Sequence, residues 1–310
     1  MTKENHITLN ISSETDVLKS VVLGISDSMG KTPEIHQCYD PDSKYHVENT
    51  TYPKSKNISI ELDSFLNILN KYNVEVLRPD NIHDLNQVFA RDLGFVIKNR
   101  FIVSNIITER FQEIPALNNI INLFSNDKVL KISRNSKIEG GDISIFKNHI
   151  FIGASNAEDF KKFKVARTNF EAVKNIQDLF PEMKVMGFEL FKSDENKDDN
   201  TLHLDCCFQP VGNNLAIIAP SSFKNKSDIE YLENLFGKPN LFYLDDFEKN
   251  KMFSNVFSIS TKVVVSDVRF IKLNNWLKQN NIFVEEINYS EISKMGGLFR
   301  CSTLPLKREK

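Results

Sequence analysis

Glu139-Gly140-Gly141-Asp142-Ile143-Ser144-Ile145-Phe146 runs into Lys147-Asn148 and returns as His149-Ile150-Phe151-Ile152-Gly153. Two runs rich in β-branched and aromatic residues, joined by a two-residue polar turn, predict a β-hairpin. Apolar residues at helical spacing then follow over 170–180, and a further run over 184–190 predicts a strand. The order strand, strand, helix, strand recurs on both sides. Upstream, 88–97, the turn Lys98-Asn99 and 101–103 precede a helix over 110–124 and a strand over 129–132. Downstream, 202–208 turns at Asn213-Asn214 and returns through 215–218, before a helix over 228–236 and a strand over 241–244. A fourth copy is 256–260, Thr261-Lys262, 263–266, a helix over 270–279 and a strand over 282–286.

The chain ends complete the pattern. A strand over 17–25, a helix over 58–71 and a strand over 74–77 lack a first hairpin strand, while the last strand, 298–306, lacks a helix after it. Self-similarity at roughly 50 to 65 residues signals a radial or stacked repeat. Joining the two ends makes a fifth unit and hides the sheet edges. The expected fold is therefore α/β: five ββαβ units in a pseudo-fivefold propeller, closed by the N- and C-terminal strands. A parallel-sheet α/β fold shows a similar alternation. Residues 1–310 read as a single domain, opening with a polar segment over 1–14. The stretch 29–57 carries Pro33, Pro41 and Pro53 with Tyr39, Tyr45 and Tyr52 and no steady period, which suits a lid, a binding loop or a surface excursion.

Composition narrows the function. The chain has 310 residues, 41% of them hydrophobic and 24 of them Phe, enough to bury a large core. The 39 basic and 41 acidic residues nearly cancel, and no basic cluster is interleaved with aromatics, which argues against nucleic acid or an acidic membrane as partner. No export signal or membrane-length apolar run is evident, so a soluble cytoplasmic protein is expected. Cys38, Cys206, Cys207 and Cys301 have neither zinc spacing nor the density of a disulfide scaffold.

Chemistry gathers at the hairpins. Leu202-His203-Leu204-Asp205-Cys206-Cys207-Phe208 alternates with the period of a strand, which places His203 and Asp205 on one face and Cys206 with Phe208 on the other. Adjacent Cys206 and Cys207 then face opposite ways and do not share a metal. Asp92, and Glu139 with Asp142, stand at similar places in the two preceding hairpins. In a ring of equivalent units these positions converge, and crowded carboxylates require a cation. A hard metal would accept these oxygens, but no compact loop of carboxylates is present; a planar guanidinium, held through paired N–H bonds, fits better. Cys301, after Gly296-Gly297, offers a thiolate nucleophile for the electrophilic carbon of such a group. No metal or organic cofactor is required.

Ala90-Arg91-Asp92, Glu139-Gly140-Gly141-Asp142, His203-Leu204-Asp205 and Gly296-Gly297-Leu298-Phe299-Arg300-Cys301-Ser302-Thr303-Leu304-Pro305 together resemble the guanidino-group modifying enzymes. These include arginine deiminase, dimethylarginine dimethylaminohydrolase and the amidinotransferases, and they share the pentein fold. The resemblance runs from about Val17 to Leu306, with one motif per repeat. It implies that Cys301 attacks the guanidinium carbon, that His203 protonates the leaving amine and then activates the incoming nucleophile, and that Glu139 orients His203. It implies that Asp92 and Asp205 grip the guanidinium, that Arg110 and Arg167 bind a substrate carboxylate, and that Asp142 serves structure or the substrate. The insertion 157–165 departs from the family pattern beside Arg167. Asp205, two residues after His203, resembles enzymes that take an unblocked guanidino group. The implied activity is a cysteine-dependent hydrolase, with an amidinotransferase second and a non-catalytic guanidino-compound binding protein third. Propellers of this class often pair as homodimers.

Overall fold

Five three-stranded sheets carry the chain in the computed structural model, which describes residues 7–310. The strands are β1 (Val17–Leu23), β2 (Glu75–Leu77), β3 (Gly94–Ile97), β4 (Arg100–Val103), β5 (Val129–Lys131), β6 (Ile143–Phe146), β7 (His149–Ala154), β8 (Lys184–Glu189), β9 (Phe208–Val211), β10 (Leu215–Ile218), β11 (Leu241–Tyr243), β12 (Phe257–Ser260), β13 (Val263–Asp267), β14 (Phe283–Ile287) and β15 (Thr303–Glu309). Their orders are β15-β1-β2, β3-β4-β5, β6-β7-β8, β9-β10-β11 and β12-β13-β14. In every sheet the middle strand is antiparallel to the first and parallel to the third. The sheet β15-β1-β2 is the one that joins the two ends of the chain, with Val22 opposite Leu304.

Local sequence explains this regularity. Lys98 and Lys147 adopt left-handed φ values of 54° and 53°, which lets two residues reverse the chain between Ile97 and Arg100 and between Phe146 and His149. The first strands β3, β6 and β9 are buried at every residue, so they read as continuous apolar runs rather than alternations. The third strands β2 and β5 are half-buried or exposed along their length. Helices cover the sheets through one apolar stripe: in Ser55–Lys71 the buried residues include Ile58, Leu62, Phe65 and Leu69. Phe65 stands edge-on to Phe257, Tyr289 and Phe299, with ring centroids 5.7, 6.0 and 5.4 Å away.

Several local expectations are corrected. The strands expected over 88–97, 139–146, 202–208 and 298–306 begin later, at Gly94, Ile143, Phe208 and Thr303. The residues ahead of the first three form 3₁₀ turns, Ala90–Leu93, Gly140–Asp142 and Leu204–Cys206. An extended strand sends neighbours to opposite faces, whereas a turn keeps several polar groups close to one point. The faces predicted for His203, Asp205, Cys206 and Cys207 therefore do not apply.

The helix expected over 110–124 is a 3₁₀ segment, Thr108–Leu117, followed by the short α-turn Asn118–Ile121. Pro115 inside it lacks an N–H and obstructs a regular α-helix. The 29–57 stretch contains a 3₁₀ turn, Ile35–Gln37, and an α-helix, Pro41–Glu48, capped by Asp40 accepting from the Ser43 N–H at 2.8 Å. The insertion after Gly153 forms the helix Ala157–Lys162, capped by Asn156. Of the polar N-terminal segment, Met1 to His6 lie outside the described residues. The rest is not a surface tail, because Leu9, Ile11 and Glu14 are buried. Among the described residues no helix is long and apolar enough to cross a membrane.

Candidate active site

Close packing of turns builds the site. A Cβ added to Gly141 would stand 2.7 Å from His203 Nδ1 and 2.9 Å from Asp92 Oδ1, so only glycine lets these turns approach. A Cβ on Gly297 would meet the Phe89 ring at 2.6 Å and Cys301 Cβ at 2.9 Å. The turns thus bring Asp92, Glu139 and His203 together, all three buried. His203 Nε2 lies 3.0 Å from Glu139 Oε2, and its Nδ1 lies 3.7 Å from Asp92 Oδ1. Cys301 is 3% exposed, and its Sγ lies 3.6 Å from Asp205 Oδ2.

Charge sets the protonation states. Burial disfavours a charged His203, but Asp92, Asp142 and the hydrogen-bonded Glu139 outweigh it and raise its pKa to about 9. Burial likewise opposes ionisation of Glu139, and Arg167 with His203 outweighs it, lowering the pKa to about 2. His203 is therefore an imidazolium at neutral pH. Burial, then the nearby Asp205 and Asp92 carboxylates, pushes the Cys301 thiol well above its ordinary range, so the resting sulfur keeps its proton.

The His203 shift has a measurable consequence. A pKa raised from 6.5 towards about 9 by folding contributes stability that is fully present below about pH 6.5 and is lost as pH climbs through 9. Wild type is expected to lose roughly 1–3 kcal/mol relative to His203→Gln across that window, read from urea midpoints at each pH. A constant gap between the two proteins would contradict the imidazolium assignment.

The remaining sequence-predicted residues hold the site from behind. Arg110 is 3% exposed and donates to Asp92 Oδ2 at 2.5 Å, to both Glu113 oxygens at 2.7 Å and to the Phe89 carbonyl at 3.0 Å. Arg167 reaches Glu139 Oε2 at 3.2 Å, the Tyr39 carbonyl at 2.7 Å and the Lys164 carbonyl at 3.0 Å. Its bond to Tyr39 ties the 29–57 stretch to the site. Asp142 Oδ1 accepts from the Leu204 N–H at 2.9 Å, which fixes the turn carrying His203. Asp205 Oδ2 also takes a bond from Arg300 at 2.9 Å.

Three groups escaped the sequence reading. Glu113, three residues after Arg110, is buried and paired with it. Arg300 reaches Glu14 at 3.1 Å and also bonds the Ile143 carbonyl. Asn255, ahead of β12, touches Cys301 Sγ at 3.1 Å. Arg300 stands within the Gly296 to Pro305 motif, which does not reveal its partners, and no motif marks Glu113 or Asn255, although the place just before a first strand is a positional signal for Asn255.

Ligand atoms of Asp92, Glu139 and His203 lie within 4.8 Å of one another, close enough to share a metal ion. Their charges are already matched, however, because Arg110 sits on Asp92 and Arg167 on Glu139. A cavity of about 430 Å³ opens between the 29–57 stretch and the segment leading to Phe89, lined by Tyr39, Asp40, Tyr52, Asp84 and Asn86 among others; Asp92, Glu139, His203, Asp205 and Cys301 do not line it, and Tyr39, whose carbonyl binds Arg167, is its link to the site.

Known proteins share this architecture. Residues 43–308 match the family described as N,N dimethylarginine dimethylhydrolase, eukaryotic. The uncharacterized protein YkgA of Bacillus subtilis (strain 168) is 27% identical over 311 residues, covering 99% of this chain and 97% of its own. The N-terminal domain of ArgZ, an arginine dihydrolase of cyanobacteria, superposes with a TM-score of 0.77 at 15% identity, covering 93% of this chain and 98% of its own. A form of that domain has been seen covalently bound to a reaction intermediate. The inosamine-phosphate amidinotransferase StrB1 of Streptomyces griseus superposes with a TM-score of 0.76 at 15% identity, covering 97% of each chain.

Proposed function

The chain belongs to the N,N dimethylarginine dimethylhydrolase family of the pentein guanidino-modifying superfamily, and from that premise we propose that it is a cysteine-dependent hydrolase of an arginine-like guanidino compound. The observation that carries the reading is Asp92 Oδ1. This oxygen is buried without a hydrogen-bond partner, beside His203, while its other oxygen is neutralised by Arg110. A buried carboxylate oxygen in want of a donor suits the N–H of a substrate guanidinium.

The proposed chemistry follows from the resting charges. A guanidinium entering between Asp92 and Asp205 offsets the negative field that keeps Cys301 protonated, so substrate binding favours the thiolate. The thiol proton passes to solvent or to a neighbouring base. Sγ attacks the guanidinium carbon, and the tetrahedral adduct collapses as His203 gives its proton to the departing amine. The product is ammonia, or an amine, and a covalent S-amidino (thiouronium) intermediate on Cys301. Water then attacks the same carbon while neutral His203 takes one of its protons, and the second water proton goes to the departing sulfur as the C–S bond breaks, leaving a neutral ureido product and the resting Cys301 thiol. Glu139 holds the His203 ring in both half-reactions. Asp142 supports the His203 turn, while Arg110 and Arg167, which the resemblance implies for a substrate carboxylate, are instead engaged by Asp92 with Glu113 and by Glu139 with the Tyr39 and Lys164 carbonyls, and act as counter-ions that hold the site. The five sheets form one closed propeller domain in this reading, and the 29–57 stretch is its lid, with the adjoining cavity as the approach. The enzyme works in the cytoplasm as a homodimer without metal or cofactor.

A panel of arginine, methylated arginines, agmatine and guanidino acids tests the proposal, with ammonia, alkylamine and ureido product followed with and without glycine or ornithine. Ammonia and a ureido product from an unblocked substrate, independent of acceptor, are expected. Release of methylamine or dimethylamine instead would move the substrate to methylated arginine. Turnover that requires an acceptor would replace the hydrolase with an amidinotransferase.

A further inference from the structure

Each of the five sheets has a polar side chain just ahead of its first strand: Asp92 before β3, Asp142 before β6, Asp205 before β9 and Cys301 before β15. Ahead of β12 the equivalent place is held by Asn255, which is fully buried. Its carboxamide is fastened on both sides. Oδ1 accepts from the backbone N–H groups of Leu298 at 3.2 Å, Arg300 at 3.1 Å and Cys301 at 3.2 Å. Three donors around one oxygen settle which way the amide faces, because the opposite orientation would set N–H against N–H. Nδ2 is left pointing at Cys301 Sγ, 3.1 Å away, with the Asp205 carbonyl at 3.4 Å as its other partner.

We propose that Asn255 is a further catalytic residue, whose Nδ2–H donates to Cys301 Sγ and stabilises the attacking thiolate, while Oδ1 holds the turn that carries the sulfur. The proposal rests on Cys301 being the nucleophile.

The surroundings explain why an amide serves here. Beside the His203 imidazolium, which is bonded to Glu139, the groups acting on Cys301 include Asp92 from the turn before β3, Asp205 and Cys206 from the turn before β9, and Tyr289 packed against Phe299. The carboxylates, the thiol and the phenol do not favour a second negative charge. The guanidinium of Arg300, next to Cys301 in the chain, is engaged by Asp205, Glu14 and the Ile143 carbonyl. A lysine or imidazolium bonded to the sulfur would stabilise the thiolate but would compete with a cationic substrate for Asp92 and Asp205. A neutral N–H donor stabilises sulfur anion without that competition. It also remains in place when the substrate carbon bonds to sulfur and again when water releases it.

Alkylation of Cys301 by iodoacetamide tests this in the full-length protein, with the Cys301 peptide quantified by mass spectrometry between pH 6 and 10 and Cys38 followed as the accessible control. Asn255→Asp keeps an oxygen for the three N–H groups and replaces the donor by a carboxylate; Asn255→Ala removes both. In Asn255→Asp the Cys301 profile is expected to move to higher pH, with alkylation about tenfold slower at a given pH below the midpoint and Cys38 unchanged. A purely structural role predicts the opposite sign, since a loosened turn exposes the sulfur and speeds its alkylation at every pH. Faster alkylation in both variants, or a profile identical to wild type in both, would overturn the proposal. If Asn255→Asp does not melt cooperatively, Asn255→Ala supplies the comparison. Failure of the nucleophile reading shows separately, as turnover that survives Cys301→Ala.

Discussion

Cys301→Ala is expected to abolish turnover, by at least about 10⁴-fold in kcat, with the fold intact. Removing one sulfur from a buried turn deletes little packing, and the backbone bonds of that turn to Asn255 are made by N–H groups that alanine retains. The melting temperature should therefore fall by only a few degrees, while substrate still binds between Asp92 and Asp205. Equilibrium dialysis with the best substrate of the panel, alongside single-turnover assays, separates the two effects. A variant that binds but forms no covalent adduct, where wild type gives an adduct in quenched mass spectra, is the expected pair of results. Turnover within tenfold of wild type would remove the covalent mechanism.

Arg110→Met carries the second large effect, and it falls on stability. Arg110 is the cation between two buried carboxylates, Asp92 and Glu113. Its loss leaves two anions in a medium that solvates neither, an arrangement that costs about 3–5 kcal/mol. Urea unfolding followed by circular dichroism should show that drop. Burial already raises the Glu113 pKa against the pull of Arg110, so without the arginine Glu113 will take up a proton in the native state. The loss of stability should accordingly shrink as pH is lowered, and the double variant Arg110→Met, Glu113→Leu should recover part of it. A single variant as stable as wild type would show that Arg110 is not the counter-ion of the pair.

The repeat was legible because it is written in local patterns. Apolar runs of strand length, two-residue turns such as Lys98-Asn99 and Lys147-Asn148, and apolar residues at helical spacing over Ser55–Lys71 each report on neighbours in the chain. The same holds for the four motifs, which stand next to the strands that the runs announced. Periodicity failed where burial on both sides erased it. From 202 to 208 the chain looks like a half-buried strand, but almost every residue is interior, and the backbone turns so that His203 faces Glu139 while Asp205 faces Cys301 and Arg300. The 29–57 stretch misled in the other direction, since its irregular sequence still contains a capped helix and a backbone carbonyl that Arg167 requires.

By itself, then, the sequence determined an α/β chain of five repeated units and singled out the side chains to which its chemistry is assigned in the proposal. Both follow from residue type and spacing, which act over a few residues. Only the tertiary structure decided who partners whom. Glu14 meets Arg300, Arg110 is claimed by Asp92 and Glu113, Arg167 by Glu139 and Tyr39, and Asn255 faces Cys301. A buried charge or amide takes whichever counter-group the fold brings within about 3 Å, because leaving water unpaired is so costly. That choice joins turns from different sheets, and no spacing along the chain encodes it.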